Sequence, residues 1–147
     1  MIWEKLRKPH YHKEPIEYIY ATGIFDLKEY DKLYENQNDL SHQVWNDFQT
    51  THKFKKINFF NDLKNIDLNK TITCLWFFKD RGDRKAGNDI ELGDKNKQII
   101  VFRTNTFFIT NCPYIKILSR KKYFPRRPCL QIEMSVNTYN NIIEKLK

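Results

Sequence analysis

The chain has 147 residues, of which 40% are hydrophobic and 15% aromatic, enough for one buried core and too many for a disordered chain. Its apolar runs fall short of the roughly 18–20 residues of a membrane span, and Met1 to Lys8 lacks the apolar stretch of a secretory leader. A globular protein with no membrane partner is therefore expected, cytoplasmic or in a virion. The net charge of +8 permits an acidic partner, protein or nucleic acid, but Lys, Asn and Ile fill one third of the chain and all three have A/T-rich codons, which discounts the lysines as a functional signal.

Residues 1–14 are basic, contain Pro9, His10 and His12, and show no apolar period, so they read as an arm without a regular element. Ile16–Phe25 is rich in β-branched and aromatic residues and predicts a strand that closes in a turn at Gly23. Asp26 then caps a helix in which Leu27, Tyr30, Leu33 and Tyr34 recur at helical spacing. Asp39 is placed to cap a second helix carrying Leu40, Val44, Trp45 and Phe48, a stripe read as core packing.

From residue 54 the texture changes to short β-prone runs: Phe54–Phe60, Thr71–Phe78, Asp89–Leu92, Gln98–Arg103, Phe107–Thr110, Tyr114–Leu118 and Cys129–Ser135. Polar, turn-rich segments at Lys79–Asn88 and Ser119–Pro128 divide them, which is the pattern of an antiparallel sandwich. Asn137 is placed to cap a last helix that packs Ile142, Ile143 and Leu146, and Trp76, Phe77, Phe78, Ile100 and Phe102 are the expected heart of the core. Cys74, Cys112 and Cys129 are odd in number and far apart, so they read as reduced thiols and form neither a disulfide framework nor a zinc site.

Several phrases carry a resemblance. Pro15 to Ile19 followed by Gly23 to Asp26 and the helix Glu29–Glu35, then Thr71–Phe78, Gly87–Leu92, Gln98–Phe102 and Arg127–Ile132, together resemble the iron- and 2-oxoglutarate-dependent oxygenases of the prolyl-hydroxylase type. The resemblance spans roughly residues 15–135 and implies an α+β, mainly β fold. It would be a double-stranded β-helix, or jelly roll, with N-terminal helices packed on one side and a short C-terminal helix. Residues 1–14 would be the basic arm, and residues 15–147 a single oxygenase-like domain.

In that family iron is held by a His-x-Asp pair and a distal histidine, a facial triad with open positions. Here Asn65-Ile66-Asp67 stands at the first place and Thr110 at the distal one, and no histidine follows His52. An amide oxygen is a poorer donor to ferrous iron than imidazole, so the resemblance implies a pseudoenzyme with no cofactor and no catalytic residue. Arg127 stands where the family's arginine pairs the co-substrate carboxylate, a vestigial position. His10 and His12 lack a third ligand nearby, while His42 and His52 read as surface or capping residues.

Without chemistry, the function is sought on the surface. The loop from Arg120, Lys121 and Lys122 through Tyr123 and Phe124 to Arg126 and Arg127 interleaves cations with aromatic rings, and the arm adds Trp3 and Tyr11. These segments are the expected contacts with other protein subunits of an assembly, such as a virus or phage particle. The alternatives are a nucleic-acid-binding domain using basic loops, Lys53–Lys56 among them, or a divergent oxygenase.

Overall fold

In the computed structural model, residues 2–77, 90–118 and 128–147 are described. Their elements run β1 (Tyr11–His12), β2 (Tyr18–Thr22), α1 (Leu27–Glu35), α2 (Gln43–His52), β3 (Lys56–Phe60), β4 (Thr73–Phe77), β5 (Ile90–Leu92), β6 (Gln98–Ile100), β7 (Thr106–Thr110), β8 (Ile115–Ile117), β9 (Cys129–Glu133) and α3 (Val136–Leu146). The fold is thus α+β and mainly β. Its strands form a six-stranded sheet in the order β1-β2-β7-β4-β9-β3 and a three-stranded sheet in the order β6-β5-β8, every pairing antiparallel. Among the described residues the two sheets do not close into a barrel.

Strand side chains alternate between faces, and this places the core on both sides of the large sheet. Ile19, Ala21, Cys74, Trp76, Phe107, Ile109, Leu130 and Ile132 point to one face and join Tyr30 and Leu33 of α1, Trp45 and Phe48 of α2, and Tyr139 and Ile142 of α3. Tyr18, Leu75, Phe77, Phe108 and Cys129 point to the other and meet Ile90, Leu92 and Ile100 of the small sheet. Trp76, Phe77, Ile100 and Phe102 are buried as expected, whereas Phe78 lies outside the described residues. Cys74, Cys112 and Cys129 are free thiols, and burial pushes the Cys74 pKa well up.

Two caps differ from expectation. Asp26 does cap α1, accepting the Lys28 N–H, but α2 starts at His42, whose Nδ1 accepts the Val44 N–H at 3.1 Å. Asp39 instead closes a tight turn by accepting the Ser41 N–H, which leaves Leu40 exposed ahead of the helix. Ser135, not Asn137, caps α3 through the Thr138 N–H. In both cases a side-chain acceptor directly ahead of the helix reaches the free N–H groups of the first turn.

The arm also differs. Residues 2–12 form two 3-10 turns and the edge strand β1, with Ile2 at 0% and Leu6 at 2% exposure. The four-residue spacing of Ile2 and Leu6 is a single turn, too short to register as a period, yet burying each contributes about 1.5–3 kcal/mol. The arm belongs to the helix-side core. Asn105 ties that core together from its left-handed position, its Oδ1 accepting the Trp76 indole N–H at 2.8 Å and its Nδ2 donating to the Phe25 carbonyl at 3.1 Å.

Candidate functional site

Buried polar side chains are concentrated on the large-sheet face that looks toward the small sheet. Thr73 on β4, Thr106 and Thr110 on β7 and Gln131 on β9 are each buried, and Tyr18 on β2 joins them. Registry sets Thr73 and Tyr18 on either side of Thr110, while Gln131 lies opposite Leu75. The Thr110 hydroxyl donates to the Glu17 carbonyl at 2.9 Å and accepts the Cys112 N–H at 3.1 Å. Thr110, the position expected for a distal ligand, therefore serves as a clasp between the strand ends.

Gln131 is only 1% exposed. Its Nε2 donates to the Asp67 carbonyl at 2.6 Å, a bond that fixes the amide orientation and leaves the buried Oε1 without a hydrogen-bond partner. Across the interior, Gln98 donates to the Tyr18 hydroxyl at 2.8 Å, and its Oε1 is likewise unpartnered. A buried acceptor without a donor costs about 1–3 kcal/mol, so this face accommodates neutral hydrogen-bonding groups at some expense.

Asn65 ends a 3-10 turn (Leu63–Asn65) and is exposed, as is Asp67 two residues later. The Asp67 carboxylate accepts the Asn69 N–H at 2.9 Å and lies 3.8 Å from the Lys70 ammonium. Lys70 also pairs with Glu133 at 2.9 Å. Lys70 thus sits between the Asp67 and Glu133 carboxylates, and together with Lys56 and Lys55 it holds the Glu133 carboxyl below the usual range. Among the described residues no three His, Cys, Asp or Glu side chains gather closely enough to hold a metal ion.

The four histidines serve other ends. His10 accepts the Arg7 N–H at 3.1 Å, His12 stacks on Tyr18 at 4.5 Å, and His42 caps α2. His52 is buried among Phe25, Phe48 and Phe54 and meets Glu29 at 3.1 Å.

The expected surface contacts divide in two. Arg120, Lys121, Lys122, Tyr123, Phe124, Arg126 and the co-substrate position Arg127 lie outside the described residues. Trp3 and Tyr11 are used within the chain: Trp3 packs against Phe54 at 5.4 Å and Phe107 at 6.1 Å, and the Tyr11 hydroxyl donates to Glu17 at 2.7 Å. Tyr139 of α3 donates to the other Glu17 oxygen at 2.7 Å. Burial and this carboxylate raise both phenol pKa values, that of Tyr11 to about 12. This clamp of arm, β2 and α3 escapes sequence reasoning, because Tyr11, Glu17 and Tyr139 become neighbours only through the strand pairing.

No family model matches the chain, and no curated protein matches it.

Proposed function

We propose that this chain is a non-catalytic, oxygenase-like jelly roll that acts as a structural and protein-interaction module of a larger assembly. Its strand order supports the fold reading. In a jelly roll the chain passes repeatedly between two sheets, and β3-β9-β4-β7 facing β8-β5-β6 follows that order with one strand missing, its place falling on residues 61–72. The flanking β2 and β1 extend the large sheet on the side of the arm.

The observation that carries the functional reading is Asp67, the one residue of the expected iron triad that keeps a ligand's chemistry. Its carboxylate caps a turn and faces Lys70, while Asn65 is exposed beside it and Thr110 clasps backbone. A facial triad needs three donors converging on one ion with positions left open. Asp67 and Thr110 are spent on local structure, Asn65 faces solvent, and an ammonium lies against the surviving acid. Such a fold keeps its surface for function, since function resides in sites carried by a fold and not in the fold itself.

Anaerobic reconstitution with ferrous iron, followed by metal analysis and an assay for succinate release from 2-oxoglutarate, tests this. The expected outcome is no stoichiometric iron and no succinate. Stoichiometric iron with turnover contradicts the reading.

A further inference from the structure

We draw no further inference here: the strongest candidate, the groove of about 270 Å³ between α1 and α2 lined by Asp26, Lys28, Lys32 and Asp47, carries charges of both signs over an apolar floor of Leu33 and Phe48 that is already buried, and nothing in the structure shows what covers it.

Discussion

The two faces of the large sheet are built from the same strands and differ in kind. The helix side is mainly apolar and aromatic, with Phe25 and Phe48 on Trp76 at centroid distances of 4.2 and 5.6 Å and Trp3 against Phe107, and His52 and Asn105 are buried among these rings. The side toward the small sheet also has a tight aromatic pair, Phe77 on Phe102 at 3.6 Å, but it mixes in Thr73, Thr106, Thr110 and Gln131. The first arrangement needs no partner beyond the chain's own helices. The second retains buried polar groups, two of whose acceptors, Gln98 Oε1 and Gln131 Oε1, go unanswered. A core gains from uniform packing, while a site keeps polar atoms at a cost in stability.

The largest effect should come from the helix side. Trp76→Ala removes the ring on which Phe25, Tyr30 and Phe48 converge and should cost about 3–5 kcal/mol, read from a denaturant melt. A loss below about 1 kcal/mol would mean that this face is not the principal core. On the polar face, Thr110→Val keeps the side-chain shape but strips the Glu17 carbonyl and the Cys112 N–H of their partner, for an expected cost of about 1–3 kcal/mol. A neutral result would show that water replaces the hydroxyl and that the clasp is dispensable.

The Glu17 clamp gives a pH signature. Burial and the carboxylate raise the pKa of Tyr11 from 10.0 to about 12 and push that of Tyr139 up as well, so the fold favours the protonated phenols. Their contribution to stability is complete below the unfolded value of 10.0 and is lost as pH climbs toward about 12. Urea midpoints measured across that range should fall, and Glu17→Gln, which removes the charge opposing ionisation, should make the fall shallower. Equal slopes in both proteins would separate the phenols from Glu17. The smallest change is expected from Gln131→Leu, since losing one hydrogen bond to Asp67 is offset by removing an unanswered buried acceptor. Its melting temperature should stay near that of the parent, within about 1 kcal/mol of stability.

Much of the fold could be read from residue order. Local signals were strong where a continuous β-prone run or a cap acts within a few residues, as in Thr73–Phe77, Thr106–Thr110, or Asp26 ahead of Leu27. They failed where the decisive contact is remote. Ile2 and Leu6 look like part of a polar arm until β1 pairs with β2 and brings them under α3, where Lys145 donates to the Trp3 carbonyl at 2.9 Å. Ser135 and His42, not Asn137 and Asp39, cap their helices because the helices start directly after them, one residue before Asn137 and four after Asp39. The lack of histidine after His52 was legible at once. That Asp67 would meet Lys70, and Lys70 meet Glu133, was not, because the last pairing joins residues 63 positions apart through β9.

A thermal-shift measurement under anaerobic conditions addresses the central claim most directly, because a ligand that binds the folded chain must raise its melting temperature. The intact chain is titrated with ferrous ion, with 2-oxoglutarate, and with both together. If the oxygenase-like positions are structural, the melting temperature does not move in any of the three titrations. A saturable rise with ferrous ion that grows when 2-oxoglutarate is added would contradict the account.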